Sequence, residues 1–252
     1  MENENRNNET RSFRYLEENL EAVRRGIREA ELRAGREAGE TLLLAAVKSA
    51  DTEEIRYLTR TLGVKDIGEN RVQQLLSRYE DVKGDGVRIH FIGSLQKNKV
   101  KYIVDKVAMI HSVDSLSLAE EIDKRSRAKG ITMDVLVEIN SGREENKGGI
   151  LPEDAPAFCE ALVRYGNLRL VGFMTMAPNC EDFSEYHGYF AATRALALRI
   201  FRENLHRSEP PVLSMGMSRS FIPATEEGAT VVRVGRQLFH RPEADGSHEN
   251  ES

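Results

Sequence analysis

The stretch "TLLLAAVKSA", residues 41–50, is an apolar run that stops abruptly on Lys48. It is short enough for a strand. Its lack of polar alternation suits a strand covered on both faces, as in a parallel sheet. Similar runs follow at 65–67, 87–92, 107–113, 133–139, 168–175, 212–217 and 230–234. Helical patterns lie between them. In "SLSLAEEIDKRSRAKG", 115–130, Ser117 and Glu120 fit a capping box, Arg127 and Lys129 occupy the last turn, and Gly130 sits past the end. Eight such units in 252 residues describe an α/β fold, a single (β/α)8 TIM barrel, which typically takes about 250 residues. An open doubly wound sheet is the competing arrangement.

Upstream of the first run, Leu16, Leu20, Val23, Ile27 and Ala30 recur at helical spacing. Residues 11–36 therefore read as an extra amphipathic N-terminal helix, stopped near Gly35. Polar residues 1–10 and the tail 242–252 read as disordered, and 11–241 as one domain, because no Pro/Gly/Ser-rich linker divides it. With 36 basic and 41 acidic residues the net charge is −5, which gives no reason to expect nucleic acid or an anionic membrane as the main partner. No apolar run is long enough to span a bilayer, and the N-terminus lacks a signal core. Two cysteines, Cys159 and Cys180, are too few for a disulfide framework, so a reducing cytoplasm is expected. No large apolar face stands out, and a monomer is expected. Metal-ligand spacings, a P-loop and a GxGxxG turn are all missing from the sequence.

Parallel α/β folds place their sites at the C-terminal ends of the strands. The residues there are Lys48, "GEN" (68–70), "GSLQKNK" (93–99), Asp114, Asn140, Met176, "MSRS" (217–220) and "GRQ" (235–237). A lysine at a strand end is ordinarily just solvated. An unprotonated one can attack an aldehyde, and the flanking Leu44, Ala45, Ala46 and Val47 would favour that form if they kept the amine dry. Ser218 reads as a helix N-cap or as part of an anion site, and the two are compatible. Gly235 would let backbone amides approach a phosphate. Arg233, within the apolar "TVVRVG", needs a partner: a barrel carboxylate or a ligand. Asn70 could cap a helix or order a loop. His90 reads as a satisfied core histidine, Met174, Met176, Met215 and Met217 as packing, and Lys97, Lys99 and Lys101 as a solvated face.

With these residues in place, the sequence resembles the pyridoxal phosphate homeostasis proteins. The motifs that carry the resemblance are "LLAAVKSA", "IGENRVQ", "HFIGSLQKNK", "HSVDSLSLAEEI", "INSGREENKGGI", "LVGFMTMAP", "LSMGMS" and "VRVG", in that order along nearly the whole chain. The resemblance implies a barrel of the alanine racemase N-terminal domain type (fold type III of the pyridoxal-phosphate proteins). It implies that Lys48 holds pyridoxal 5′-phosphate as a Schiff base and that Asn70 lies beside the cofactor. Arg233 would face the pyridine nitrogen, and Ser218 with amides at Gly235 and Arg236 would hold the phosphate. The chain departs from the family pattern at Val47 before the lysine, Ser49-Ala50-Asp51 after it, "MSRSF", His240, and Arg236 where a hydroxyl residue is usual. An arginine cannot supply that hydroxyl, though its charge could form an ion pair.

The function implied is that of a carrier and buffer in vitamin B6 homeostasis, without turnover, touching pyridoxal-phosphate-dependent apoenzymes only transiently. The alternative is a pyridoxal-phosphate-dependent amino-acid racemase. That reaction needs a second acid/base, which in the superfamily is a tyrosine from a separate β domain. The eighth run lies close to the end of the sequence, so the expectation is that such a domain is lacking and that the carrier is favoured. A barrel that has lost the cofactor, with Arg236 filling the phosphate pocket, is a third possibility.

Overall fold

In the computed structural model, which describes residues 12–144 and 146–241, eight parallel strands close into a barrel in sequence order. They are β1 (Leu42–Ala46), β2 (Asp66–Glu69), β3 (Arg88–Phe91), β4 (Met109–Val113), β5 (Met133–Ile139), β6 (Leu168–Thr175), β7 (Val212–Met217) and β8 (Val231–Val234). Each apolar run of the sequence is a strand, and pairing of β1 with β8 excludes the open sheet. The expected disordered ends, 1–10 and 242–252, lie outside the described residues.

The helices are α1 (Arg14–Arg33), α2 (Thr52–Arg56), α3 (Val72–Val82), α4 (Val100–Ile103), α5 (Leu116–Lys129), α6 (Ala155–Leu162), α7 (Ser184–Arg199) and α8 (Phe221–Glu226). The N-terminal helix is not an appendage. α1 lies between α8 and α2: Gly26 faces the Phe221 ring, Arg33 pairs with Glu226 at 2.7 Å, and Glu17 accepts from Tyr57 just past α2. Asn19 donates to the carbonyls of Leu238 and His240 beyond β8. α1 therefore fills the place of a helix after β8 and completes the outer ring. The capping box in α5 is displaced: Ser115, not Ser117, caps the helix, its Oγ accepting from the Leu118 amide at 3.4 Å. Starting at Leu116 turns Leu118, Ala119 and Ile122 onto the buried face.

Alternation along each strand divides the side chains between two spaces. Ala45, Val47, Ile67, Phe91, Val137 and Val232 point outward and join the core under the helices, whereas Leu44, Ala46, Ile92 and Val231 pack together inside the barrel. The inner space is tight. A Cβ on Gly68 would fall 2.7 Å from Ile92 Cδ1 and 2.8 Å from Leu44 Cδ2. At Gly172 of β6, paired with Val212 of β7, a Cβ would stand 2.0 Å from the Val212 carbonyl oxygen. Backbone cannot yield as a side-chain tip can. Gly172→Ala should therefore destabilise the barrel by about 1–3 kcal/mol, near the top of that range. Urea denaturation measures it, and a variant as stable as the parent would refute so close an approach of the two strands.

Candidate functional site

β1 ends at Ala46, and the chain turns at Lys48 and Ser49. Three hydrogen bonds from α3 fix that turn. Arg78 donates to the Val47 carbonyl at 3.0 Å and to the Ala50 carbonyl at 2.9 Å, and Gln74 Nε2 donates to the Lys48 carbonyl at 2.9 Å. Arg78 is itself buried, its Nε bonded at 2.7 Å to Glu69 Oε1 at the end of β2. Glu69 Oε2 is buried without a hydrogen-bond partner, and burial raises the Glu69 carboxyl pKa against the pull of Arg78. Neither residue stands out in the sequence. Glu69 is hidden inside "GEN", and Arg78 sits in a helix otherwise rich in solvated polar residues.

The apolar run before Lys48 is buried, but it does not wrap the amine. Ala45 and Val47 point to the helices, so of the four residues before the lysine only Leu44 and Ala46 lie on its own side, with the small Ala46 next to it. Lys48 is exposed, at the rim of a cavity of about 360 Å³ that it lines with Asn70, Arg71, Gln73 and Gln74. This corrects the expectation of a dry mouth. Asn70 is half-buried, and its Oδ1 is inaccessible yet lacks a hydrogen-bond partner. An unsatisfied buried acceptor of this kind calls for a donor from elsewhere.

Across the rim, the loop after β8 meets the end of β1. A Cβ on Gly235 would fall 2.6 Å from the Ala46 carbonyl oxygen, so glycine is needed for this approach. Ser218, beyond β7, is not the cap of α8; that place belongs to Ser220, whose Oγ accepts from the Met217 amide at 3.2 Å. Ser218 Oγ instead accepts from the amides of Gly235 and Gln237, each at 3.3 Å. Two backbone N–H groups thus converge on one oxygen at the lip of the barrel, which is the geometry an anionic oxygen uses. Arg236 lies between them in sequence, with an exposed side chain. Gln237 stands in the strand-end segment "GRQ", where the sequence gives it no role of its own.

Arg233 lies inside the barrel, 4% exposed, paired in register with Leu44 of β1. It donates to the Ser214 carbonyl at 2.6 Å, to Ser214 Oγ at 2.8 Å and to the Thr175 carbonyl at 2.9 Å. Those partners are neutral, so the expected alternatives are decided against a bonded carboxylate partner for these contacts. Burial lowers the Arg233 pKa to about 10, with Glu138 of β5 opposing the shift. Glu138 is pushed up to about 7 by burial and by Asp114, against Arg233. His90 is a satisfied core histidine as expected, bonded to Asp66 and to His111. Among the described residues no group of His, Cys, Asp or Glu is placed to hold a metal, and no helix is long and apolar enough to cross a membrane.

Comparisons with known proteins show the family and the fold. Residues 19–241 match the family model of the alanine racemase N-terminal domain. Over 222 residues the chain is 44% identical to the pyridoxal phosphate homeostasis protein of Aquifex aeolicus, covering 88% of this chain and 96% of that one. The chain belongs to the pyridoxal phosphate homeostasis protein family. Its homologue of that name in Pseudomonas aeruginosa is 35% identical, over 89% of this chain and 94% of that one. Among solved structures, PipY of Synechococcus elongatus with pyridoxal phosphate bound is 30% identical, with a TM-score of 0.74 over 85% of this chain and 99% of that one. An alanine racemase of Clostridium difficile, 17% identical with a TM-score of 0.70 over 92% of this chain and 58% of its own, shares the fold.

Arg78→Met should cost about 3–5 kcal/mol by stranding a buried carboxylate. It should also speed hydrogen exchange of the Ala50 amide, whose bond to the Val47 carbonyl closes the Lys48 turn. Adding Glu69→Leu should return most of the stability but not the protection; a double variant with Ala50 protected would show that something other than Arg78 orders the turn. For Glu138, the folded pKa of about 7 lies above the ordinary value of 4.5, so its neutral form is favoured in the fold. The stability this contributes is present below about pH 4.5 and is lost as pH rises through about 7. Relative to the parent, Glu138→Gln should therefore gain melting temperature between about pH 5 and about pH 8, and an unchanged difference would refute the raised pKa.

Proposed function

We propose that this chain binds pyridoxal 5′-phosphate covalently at Lys48 and acts in the cytoplasm as a monomeric, reversible carrier, without turnover. It keeps the free aldehyde low and hands the cofactor to apoenzymes. The observation that carries the reading is the meeting, at one barrel rim, of an accessible amine at Lys48 with two amides gathered on Ser218 Oγ. When bound, pyridoxal phosphate supplies an aldehyde, a phosphate and a pyridine nitrogen.

Each of these groups has a complement in the chain. Lys48 Nζ would supply the lone pair for condensation with the aldehyde, one water leaving. Ser218 and the amides of Gly235 and Gln237 receive phosphate oxygens, and the Arg236 charge is on the same turn. Asn70 lies beside the lysine in the shared cavity, its Oδ1 awaiting a donor. Arg233 would present its remaining N–H groups to the ring nitrogen. A guanidinium there keeps that nitrogen unprotonated, which makes the ring a poor electron sink and disfavours carbanion chemistry. The open rim lets water return, and return of water is what releases the aldehyde.

The test is spectroscopic. The protein mixed with pyridoxal phosphate should absorb near the visible–ultraviolet border, and borohydride should fix the label on the peptide that contains Lys48. Lys48→Ala should lose the band entirely. A band that survives the substitution, or a label on Lys147, would overturn the assignment. Incubation with L-alanine separates the classes: efficient formation of the D-isomer would make the chain a racemase.

A further inference from the structure

Inside the barrel, five side chains on five strands form an unbroken hydrogen-bonded file. Asp66 Oδ1 lies 3.0 Å from His90 Nε2, and His90 Nδ1 lies 2.9 Å from His111 Nε2. His111 Nδ1 lies 3.0 Å from Ser214 Oγ, which accepts from Arg233 Nη1 at 2.8 Å. None of the five is more than 5% exposed. The file begins at the opposite mouth of the barrel, where Asp66 Oδ2 accepts from the exposed Arg88 at 2.7 Å. Both residues line a cavity of about 660 Å³ beneath α1.

The hydrogens of this file fit together in one direction. A guanidinium only donates, so Ser214 Oγ accepts from Arg233 and has one hydrogen left to give. The acceptor the file offers that hydrogen is His111 Nδ1, which takes it only when bare. His111 therefore carries its proton on Nε2 and donates to His90 Nδ1, which must also be bare. His90 in turn carries its proton on Nε2 and donates to the Asp66 carboxylate. Both imidazoles are neutral, and the file is polarised from a cation at the cofactor end to an anion at the far end. Burial, with His90 and Arg233, holds the His111 pKa well below the ordinary value. Burial opposes ionisation of Asp66, yet the bonds from His90 and Arg88 keep its pKa low.

We propose that Asp66, His90, His111 and Ser214 are positioning residues for Arg233: they pin one edge of its guanidinium and set how strongly the other edge acts on the ring nitrogen of pyridoxal 5′-phosphate. This rests on the reading of Lys48 and Arg233 given above. A buried polar chain is costly to desolvate, and apolar side chains of the kind already present at Leu44, Ile92 and Val231 would fill the space. What the chain adds is direction. The reverse polarity would need His90 doubly protonated and His111 protonated on Nδ1. Ser214 Oγ would then face two donors, and its own hydrogen would lose its acceptor in the file. The other ionisable groups acting on Arg233 and its surroundings are Glu138 and, through it, Asp114.

Two measurements test the proposal. Nitrogen-15 NMR of the imidazoles in the free protein at neutral pH should show both histidines neutral with the proton on Nε2. A doubly protonated His90, or a His111 protonated on Nδ1, overturns it. The second measurement titrates pyridoxal phosphate into the parent, Ser214→Ala and Asp66→Asn, following the absorption band and its pH profile. Both variants should form the band, displaced in position and in pH profile, with affinity for Ser214→Ala lower by roughly tenfold. Thr59→Val removes a buried hydroxyl outside the file, bonded to the Ile55 carbonyl at 2.8 Å. It should lower the melting temperature and leave the band in place. Bands identical in the parent and both file variants overturn the proposal, as does an equal displacement in Thr59→Val. Should Ser214→Ala fail to fold, Asp66→Asn reads the same coupling from the far end. A parent that forms no band overturns the Lys48 reading instead, and the NMR result still stands by itself.

Discussion

Pairing of β8 with β1 is the constraint on which the rest of the structure depends. The register sets Leu44 against Arg233 and Ala45 against Val234, so the strand that ends in the lysine and the strand that carries the arginine are direct neighbours. One residue further on, Gly235 passes so close to the Ala46 carbonyl that any side chain would force the loop away. With it would go the amides of Gly235 and Gln237 that meet on Ser218 Oγ. Closure therefore does more than remove the sheet edges. It places the Lys48 amine and the amides of Gly235 and Gln237 at one rim, with the buried Arg233 guanidinium beneath them. α1, wedged between α8 and α2, covers the seam from outside.

The charges buried around this seam are poor stabilisers by ordinary reckoning. A buried ion pair seldom outweighs its desolvation, and losing one partner strands the other. Arg78 and Glu69 form such a pair, and one Glu69 oxygen still has no hydrogen-bond partner. The return is positional. The same guanidinium that answers Glu69 also grips the carbonyls of Val47 and Ala50, on either side of the Lys48 turn. Arg233 follows the same logic, with two carbonyls and a hydroxyl as acceptors. In both cases an arginine is retained where an aliphatic side chain would pack more cheaply, because five N–H groups in a fixed plane define a geometry.

The barrel is legible in the sequence because parallel strands covered on both faces are continuously apolar, and β5, β6 and β7 coincide with the runs at 133–139, 168–175 and 212–217. Lys48, Asn70, Ser218, Arg233 and Gly235 are legible for a related reason: each stands at the end of such a run or within three residues beyond it. What stays hidden depends on contacts between distant segments. Ser218 looks like the cap of α8, and only the loop after β8 shows it engaged elsewhere, with Ser220 taking the cap. Ser117 fits a capping box by spacing, but the helix is phased by the core and begins at Leu116. His111 sits among apolar residues like any core histidine, and its neighbours come from β3 and β7. The extra N-terminal helix could not be placed in the ring, because its seat is formed by residues near 54, 221 and 238.

The exposure of Lys48 carries the last step of the argument. The four residues before it promise a dry pocket, yet strand alternation spends two of them on the outer core. A catalyst that stabilises developing charge gains from excluding water, since every electrostatic interaction is stronger in a closed site. A carrier gains from the opposite arrangement, because its cargo leaves only when water reaches the bond that holds it. The structure divides these demands by depth. Beneath the rim, Arg233 and the interior file are sealed from solvent and held in one orientation, while the amine above them stands in the open. On the proposed reading a ring would be held below while water reaches its bond above, a combination suited to retaining an aldehyde and giving it up again.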